Sequence, residues 1–246
     1  MNKRLAVVTG GIGGLGTAIC RHLAHDGRRV VAVDLDDRPE RLARFTADTA
    51  GLDVRFAPCD VADYDACADL IDRLGRELGP VEILVNAAGI TRDATLRKME
   101  RTQWTQVLRV NLESVFNLCR HVVGGMVERG FGRIVNISSV NGQTGQFGQT
   151  NYAAAKAGMH GFTMALAREV ARKGVTVNSV SPGYIDTEMT RALREDLRAQ
   201  IIASIPVGRM GRPDDIARTV RFLCGDDADY ITGANIPVNG GLFMSF

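Results

Sequence analysis

The stretch Leu5-Ala6-Val7-Val8-Thr9-Gly10-Gly11-Ile12-Gly13-Gly14-Leu15-Gly16 contains the pattern that decides the fold. Its first part, Leu5–Thr9, is short, apolar and rich in valine, which predicts a buried strand. Five glycines in the next seven residues predict a tight turn, and an amphipathic helix is expected over Gly14–Asp26. A strand that enters a helix through a glycine-rich turn is typical of an α/β fold.

Strand-like and helix-like segments alternate along the rest of the chain. Brief runs rich in Val and Ile predict strands that are buried on both faces. These strands are Arg29–Val33, Val54–Ala57, Ile83–Val85, Gly132–Ile137, Val175–Val180 and Asn235–Val238. The helices between them include Tyr64–Leu78, Arg101–Arg129 and Thr150–Arg172. We therefore predict one α/β domain over residues 1–246, a doubly wound seven-stranded parallel sheet with helices on both faces. Ligands of such sheets bind beyond the carboxyl ends of the strands.

Composition argues against several classes of protein. The 246 residues are 45% hydrophobic and 24% charged, and a net charge of +2 is too weak for a nucleic-acid-binding surface. The five cysteines form no C-x-x-C pair, so we expect reduced thiols. The first apolar run stops at Gly10, too short for a signal peptide, and no stretch has membrane-spanning length. We expect a cytoplasmic protein without metal, nucleic acid or membrane partners.

The glycine-rich turn fits two dinucleotide-binding patterns. Gly11-x-Gly13-x-x-Gly16 matches the common fingerprint, and Gly10-x-x-x-Gly14-x-Gly16 matches a variant with one more residue in the loop. In both patterns the glycines let the backbone approach a pyrophosphate. The helix that follows offers free N–H groups and its positive dipole end to that anion. The turn therefore predicts nucleotide binding.

Acidic residues follow the second and third strands. Asp34 stands where a carboxylate hydrogen-bonds the adenosine ribose hydroxyls, and it would repel a 2′-phosphate. It therefore favours NAD(H), whereas Arg38 could reach a 2′-phosphate and keeps NADP(H) open. Asp60 could accept a hydrogen bond from the adenine amino group. Small residues in Asn86-Ala87-Ala88-Gly89 would let a ring or ribose approach the backbone.

Tyr152 and Lys156 lie four residues apart in a predicted helix, so they share one face. An ammonium group stabilises the ionised form of a neighbouring phenol, so we expect the pKa of Tyr152 to fall from roughly 10 toward neutrality. Tyr152 would then act as a general acid at working pH. Ser139, at the end of the fifth strand, could hydrogen-bond a substrate oxygen as charge develops there.

Taken in order, these motifs resemble the motif set of the classical short-chain dehydrogenase/reductase family. The shared residues are Thr9-Gly10-x-x-x-Gly14-x-Gly16, Asn86-Ala87-Ala88-Gly89, Asn111, Ser139, Tyr152-x-x-x-Lys156, Pro182-Gly183 and Asn239-Gly240-Gly241. Position 87 is Ala where the family usually has Asn, and this difference concerns only local loop packing. The resemblance implies a Rossmann fold and an oxidoreductase that uses a nicotinamide cofactor.

The same resemblance assigns roles to individual residues. Tyr152 would donate the proton in reduction, and Lys156 would hold the nicotinamide ribose and lower the Tyr152 pKa. Ser139 would orient the carbonyl, Asn111 would bend its helix and anchor a water in a proton relay, and Thr187 would contact the carboxamide. The implied cofactor-binding residues are Gly10, Gly13, Gly14, Leu15, Gly16, Asp34, Asp60, Val61, Asn86, Ala88, Gly89, Tyr152, Lys156, Pro182, Gly183, Ile185 and Thr187.

A narrower resemblance, to the bacterial acetoacetyl-CoA reductases, is carried by residues 136–143 and 145–152. It implies reduction of the 3-oxo group of acetoacetyl-CoA to (3R)-3-hydroxybutanoyl-CoA, for polyhydroxyalkanoate synthesis. Glutamine amides in this loop could pair with the thioester or pantetheine amides, and aromatic rings could wall the acyl group. The implied substrate-binding residues are Asp93, Ser139, Gln146, Phe147, Gln149 and Tyr184.

Other interpretations remain open at this point. The chain is also similar to 3-oxoacyl-[acyl-carrier-protein] reductases, and Arg129, Arg172 and Lys173 could receive an acidic carrier protein. A non-catalytic nucleotide-binding sensor on the same fold is a remote alternative. The family resemblance also implies a homotetramer. The charged segment 184–204 is expected to move as a lid over the substrate.

Overall fold

A computed structural model of the chain describes residues 3–35, 38–191 and 194–244, apart from the side chains of residues 188 and 189. The strands are β1 (Leu5–Thr9), β2 (Arg29–Asp34), β3 (Val54–Pro58), β4 (Val81–Asn86), β5 (Gly132–Ile137), β6 (Val175–Pro182) and β7 (Asn235–Val238). The α-helices are α1 (Gly14–His25), α2 (Pro39–Asp48), α3 (Tyr64–Leu78), α4 (Arg101–Leu108), α5 (Ser114–Arg129), α6 (Asn141–Thr144), α7 (Thr150–Val170), α8 (Glu188–Arg191), α9 (Glu195–Ser204) and α10 (Pro213–Leu223).

The seven strands form one parallel sheet in the order β3-β2-β1-β4-β5-β6-β7. Strand β1 pairs with β2 on one side, Val7 opposite Val31, and with β4 on the other, Val8 opposite Val85. The strand order reverses between β1 and β4, and ligands of doubly wound sheets bind at such a reversal. The predicted fold class, a doubly wound seven-stranded parallel sheet with helices on both faces, is confirmed.

Successive side chains of β1 point to opposite faces of the sheet, which explains why helices cover both faces. Leu5 and Val7 belong to one buried apolar cluster, which packs on α3, α5 and α7. Ala6 and Val8 belong to a second cluster on the opposite face, which packs on α1 and α10. Because successive strand residues point to opposite faces, an uninterrupted apolar strand needs a helix layer on each side.

The predicted helix over Arg101–Arg129 is interrupted in the structure. Arg109–Glu113 forms a π-helical turn between α4 and α5, and Asn111 lies within it. The Ser114 hydroxyl donates to the Val110 carbonyl at 2.6 Å beside this turn. Periodicity alone does not reveal such a turn, because an added residue shifts the apolar face without ending the helical pattern. Among the described residues, no helix is long and apolar enough to cross a membrane.

Candidate active site

The turn after β1 can adopt its shape only because it is built of glycine. Gly10 has φ of 63°, in the left-handed region that L side chains rarely adopt. A Cβ atom on Gly16 would overlap the Gly10 carbonyl oxygen, and one on Gly11 would lie 2.6 Å from the Ala32 Cβ. The chain therefore turns tightly and presents the N-terminus of α1 to the space above the sheet. This backbone fits a dinucleotide, because amide groups at a helix N-terminus bind a pyrophosphate.

A cavity of about 820 Å³ occupies the carboxyl edge of the sheet, above the reversal between β1 and β4. The structure brings most of the sequence-predicted residues to its wall. They are Gly10, Gly13, Gly14, Leu15, Gly16, Asp34, Asp60, Val61, Ala88, Gly89, Ser139, Tyr152, Lys156, Pro182, Gly183 and Thr187. The cavity joins the glycine-rich turn at one end to the Ser139–Tyr152–Lys156 group at the other, so one elongated ligand can reach both.

Three predicted residues lie behind the wall. Asn86 is buried, and its amide donates to the Asn136 side-chain oxygen at 2.8 Å, linking β4 to β5. Ile185 is buried in the apolar core, and its carbonyl accepts from the Thr190 hydroxyl at 2.7 Å. Asn111 is fully buried and does not line the cavity. Their side chains therefore support the site from outside it.

The buried amide of Asn111 fixes the loop that follows β4. Its oxygen accepts from the Ile90 amide at 2.8 Å, and its nitrogen donates to the Ile90 carbonyl at 3.0 Å. The Thr9 hydroxyl holds the same loop, accepting from the amides of Ala87 at 3.0 Å and Ala88 at 3.1 Å. These contacts hold the small residues after β4 beside the glycine-rich turn.

Tyr152 and Lys156 project from the first half of α7 into the cavity. The Lys156 Nζ donates to the Ile137 carbonyl at 2.8 Å and lies 5.6 Å from the centroid of the Tyr152 ring. The Ser138 hydroxyl donates to the Lys156 carbonyl at 2.9 Å, which ties α7 to the end of β5. These hydrogen bonds therefore hold α7 against the end of β5 at the site. Ser139 is the next residue after Ser138.

The expected lowering of the Tyr152 pKa is wrong for the protein without ligands. Burial raises the pKa of Tyr152, and this effect outweighs the hydrogen bond with Ser139, which lowers it. A charge on Asp93 raises the pKa further. Burial also lowers the pKa of Lys156 to about 7, so its ammonium is only partly charged at neutral pH. Tyr152 is consequently protonated at neutral pH and carries a proton that it can donate.

The substrate loop differs from expectation in what its side chains contact. The Gln149 amide donates to the Asp93 carboxylate at 2.8 Å and accepts from the Asn141 side chain at 2.9 Å. It therefore bridges two loops. Gln146 is exposed, and the Phe147 ring is 87% exposed, so it does not wall the cavity. Tyr184 and Asp93 also lie outside the cavity lining.

Several lining residues were not among the predicted cofactor-binding or substrate-binding residues. They are Leu35, Arg41, Cys59, Ala87, Ile90, Thr91, Val110, Ile137 and Ser138. Four of them, Leu35, Cys59, Ala87 and Ser138, directly follow a strand, and for these the rule that ligands bind at strand carboxyl ends is the available signal. Arg41 lies on α2, whereas Arg38, the arginine we predicted, is not part of the lining.

In the expected lid, residues 192 and 193 lie outside the described residues. Within the part that the structure describes, no group of three or more His, Cys, Asp or Glu is placed to hold a metal ion.

Comparison with known proteins agrees with this geometry. Residues 10–243 match the family described as enoyl-(acyl carrier protein) reductase, a short-chain dehydrogenase/reductase family. The chain is 56% identical to the acetoacetyl-CoA reductase of Allochromatium vinosum, across 98% of this chain and 99% of that protein. It is 53% identical to the acetoacetyl-CoA reductase of Cupriavidus necator, across 99% and 100%. It is 42% identical to the 3-oxoacyl-[acyl-carrier-protein] reductase FabG of Haemophilus influenzae, across 100% of both. The chain is an oxidoreductase and belongs to the short-chain dehydrogenase/reductase family.

Proposed function

We propose that this oxidoreductase reduces the 3-oxo group of acetoacetyl-CoA to (3R)-3-hydroxybutanoyl-CoA, in support of polyhydroxyalkanoate synthesis. One observation carries the proposal: the cavity that begins at the glycine-rich turn ends at Ser139, Tyr152 and Lys156. A dinucleotide and a carbonyl therefore have adjoining places. Relatives that are 53% and 56% identical over nearly their whole length are named acetoacetyl-CoA reductases, which supports this choice of substrate.

The proposed reaction uses the protein for placement and proton transfer. A bound reduced nicotinamide supplies the hydride. The protonated Tyr152 donates its proton to the carbonyl oxygen, because burial keeps its hydroxyl un-ionised at neutral pH. Ser139 accepts the Asn141 backbone N–H at 3.1 Å, so its own proton is available to the substrate oxygen. Lys156, anchored at the Ile137 carbonyl, provides a donor and a partial positive charge beside Tyr152.

We further propose that NAD(H) is the preferred cofactor. Asp34 lines the cavity at the end of β2, where its carboxylate would bind ribose hydroxyls and repel a 2′-phosphate. Arg41 lines the same region and would attract a 2′-phosphate, so NADP(H) is the alternative. We rank NAD(H) first because the long Arg41 side chain would lose conformational entropy in holding a 2′-phosphate.

The second candidate substrate is a 3-oxoacyl thioester of acyl carrier protein. This candidate is supported by an identity of 42% over the full length to a 3-oxoacyl-[acyl-carrier-protein] reductase. Of the three cations offered for a carrier protein, Arg129 also donates to the Val81 carbonyl at 3.0 Å, which restrains it. The proposal therefore ranks the CoA thioester first. The remote alternative of a non-catalytic nucleotide-binding sensor is set aside, because the chain is an oxidoreductase.

Three further expectations stay proposals. Residues 1–246 act as a single domain, which the one continuous sheet supports. The protein works as a homotetramer in the cytoplasm, as the family resemblance implies. The residues that line the cavity bind the cofactor. Ser139, Tyr152 and Lys156 form the catalytic group, and Asn111, predicted with them, positions the loop after β4 through its two hydrogen bonds with Ile90.

Steady-state reduction of acetoacetyl-CoA and of an acetoacetyl carrier protein, each with NADH and with NADPH, tests substrate and cofactor together. We expect the highest kcat/KM with acetoacetyl-CoA and NADH. Tyr152→Phe should abolish turnover while leaving dinucleotide binding measurable. A higher kcat/KM for the carrier-protein thioester would reverse the substrate ranking. No turnover of either thioester with either cofactor would overturn the proposed reaction.

A further inference from the structure

The loop between β3 and α3, residues 59–63, forms part of the cavity wall. Cys59, Asp60 and Val61 line the cavity. The backbone N–H of Cys59 donates to the Asp34 carbonyl at 3.0 Å, so the loop begins beside the residue proposed to bind the adenosine ribose. The position of this loop therefore contributes to the shape of the cavity at the end that would receive adenosine.

Two successive carbonyl groups of this loop accept hydrogen bonds from side chains of the interrupted helix that contains α4 and α5. The Asn117 amide, on α5, donates to the Val61 carbonyl at 3.0 Å, and Asn117 is only 1% exposed. The Arg109 guanidinium donates to the Ala62 carbonyl at 2.9 Å. Neither Asn117 nor Arg109 lines the cavity, so both act on the ligand space through the backbone of the loop.

The π turn at Arg109–Glu113 brings these two donors onto one side of the helix. In an uninterrupted α-helix, residues eight positions apart, as Arg109 and Asn117 are, would be offset by about 80° around the axis. A π turn accommodates one additional residue, which reduces the offset to about 20°. The same turn carries Asn111, which binds Ile90 in the loop after β4. The interrupted helix therefore holds two of the loops that border the cavity.

The two donors differ in their surroundings. Asn117 is buried, so water cannot easily replace its amide when the side chain is removed. The Val61 carbonyl would keep only a weaker contact, with the Cys67 thiol at 3.5 Å. The Arg109 side chain is 53% exposed and its guanidinium lies 3.9 Å from the Glu113 carboxylate, so water can replace its hydrogen bond in part. Loss of Asn117 should therefore have the larger effect on the loop.

We propose that Asn117 and Arg109 are positioning residues for the adenosine part of the dinucleotide. They hold the loop after β3 in the place where Asp60 contacts the adenine. Loss of either side chain weakens dinucleotide binding and leaves the chemical step unchanged, because three strands lie between β3 and β5, whose end carries the reacting groups. This inference rests on the proposed function, in which the Asp34 end of the cavity receives adenosine.

Dinucleotide titration of the purified protein tests the proposal directly. The two ligands are NADH and ADP-ribose, which keeps the adenosine and lacks the nicotinamide. We expect both dissociation constants to rise about two- to tenfold in Asn117→Ala, the effect of losing about one neutral hydrogen bond. Arg109→Leu should raise both by a smaller factor, and Arg109→Lys, which keeps a donor, should recover part of the loss. The kcat at saturating NADH should stay within about twofold of the parent value, because only uniform binding is removed.

Arg120→Leu is the matched control for Arg109→Leu, since Arg120 is an exposed arginine on α5. It should change neither dissociation constant. Melting temperatures show whether each variant is folded, and if Asn117→Ala does not fold, the two variants of the half-exposed Arg109 decide the proposal. Unchanged dissociation constants in the folded variants overturn it, and so does an equal loss of affinity in the control.

A second substitution at Asp60 separates action through the loop from a general loss of stability. In the Asp60→Ala background the loop has lost its carboxylate for adenine. Arg109→Leu should therefore cost less NADH affinity there than in the parent. Equal losses in the two backgrounds would contradict the positioning role.

The titrations contain no thioester, so they are independent of the reduction assay. A parent protein that binds NADH and reduces no acetoacetyl-CoA would overturn the proposed reaction, and the dissociation constants of the variants would still decide the positioning role. A parent protein that binds neither NADH nor NADPH would overturn both.

Discussion

The Ser139 hydroxyl accepts the backbone N–H of Asn141 at 3.1 Å. A serine hydroxyl has one proton, so this contact leaves that proton for the side facing the cavity, where Tyr152 lies. The hydrogen bond between Ser139 and Tyr152 is consistent with this orientation. The local turn at the start of α6 thus orients a donor toward the place where negative charge would develop on a carbonyl oxygen.

Removing that donor should reduce turnover without unfolding the protein. Ser139→Ala is expected to lower kcat by about 10²- to 10³-fold, the usual effect of deleting one donor to a developing oxyanion. The measurement is steady-state kinetics with acetoacetyl-CoA, with the melting temperature as a check on folding. Ser204→Ala is the matched control, since this exposed hydroxyl bonds only locally, to the Ile201 carbonyl. A kcat for Ser139→Ala close to that of the control would contradict the role.

The Gln149 bridge predicts non-additive mutations. If Gln149 and Asp93 act together by tying two loops, then Asp93→Ala and Gln149→Ala should raise KM by similar factors, and the double variant should be no worse than either. If each instead contacts the substrate independently, the two effects multiply. A double-mutant cycle on kcat/KM for acetoacetyl-CoA distinguishes these outcomes. Multiplied effects would restore the direct contacts that we expected from the sequence.

The glycine-rich turn should not tolerate even one methyl group at Gly16. Gly16→Ala places a Cβ against the Gly10 carbonyl oxygen, which is backbone and cannot move aside cheaply. We expect a loss of about 1–3 kcal/mol in the free energy of unfolding and a large loss of dinucleotide affinity. Gly75→Ala, at an exposed position of α3 with no atom within 4 Å of the new Cβ, should be neutral or stabilising. Urea unfolding and dinucleotide titration measure both. Equal behaviour of the two variants would contradict the steric argument.

The buried Lys156 predicts a pH-dependent stability. The pKa of its ammonium falls from 10.5 to about 7 on folding. This shift corresponds to about 5 kcal/mol of free energy by which the folded protein disfavours the charged form. The unfolded chain therefore binds more protons between these values, and this group makes stability rise with pH across that window. Lys156→Met removes this titratable group, so the variant should be more stable than the parent at about pH 6, and the difference should shrink toward pH 9. The variant should also lose turnover.

Exposed Lys173 provides the control for that measurement. Lys173→Met should change the free energy of unfolding by less than about 0.5 kcal/mol at either pH. Denaturant unfolding at the two pH values gives the comparison. A stability difference between Lys156→Met and the parent that does not vary with pH would show that the lysine keeps its ordinary pKa in the folded protein.

Mutations of Arg41 and Asp34 should shift cofactor preference in opposite directions. Arg41→Ala is expected to lower kcat/KM for NADPH several-fold more than for NADH, because NADH has no 2′-phosphate for this guanidinium to attract. Asp34→Ala should have the opposite effect: it should weaken the binding of NADH and remove the repulsion between the carboxylate and the 2′-phosphate of NADPH. Arg44→Ala is the control, on the same helix but outside the cavity lining. An equal effect of Arg41→Ala on both cofactors would remove Arg41 from this role.

Prediction from the sequence was most successful where side-chain periodicity is the cause of structure. Strands β1 and β5, buried at every residue, begin and end at the predicted residues, because buried strands form nearly continuous apolar runs. The predicted bounds of β7 also hold, although this edge strand has no fully buried residue. Periodicity predicts one continuous helix over Arg101–Arg129, and only the family resemblance placed a bend at Asn111, where the π turn between α4 and α5 lies. Arg41 was missed because no motif marks the face that α2 turns toward the cavity.

The sequence by itself determined the parallel sheet, the glycine turn that only glycine can form, and the shared helix face of Tyr152 and Lys156. These features follow from local sterics and from spacing along the chain. Tertiary structure alone decided the charge state of the pair and the partners of Gln149. Burial sets the protonation of Tyr152 and Lys156, and burial depends on every element packed around α7.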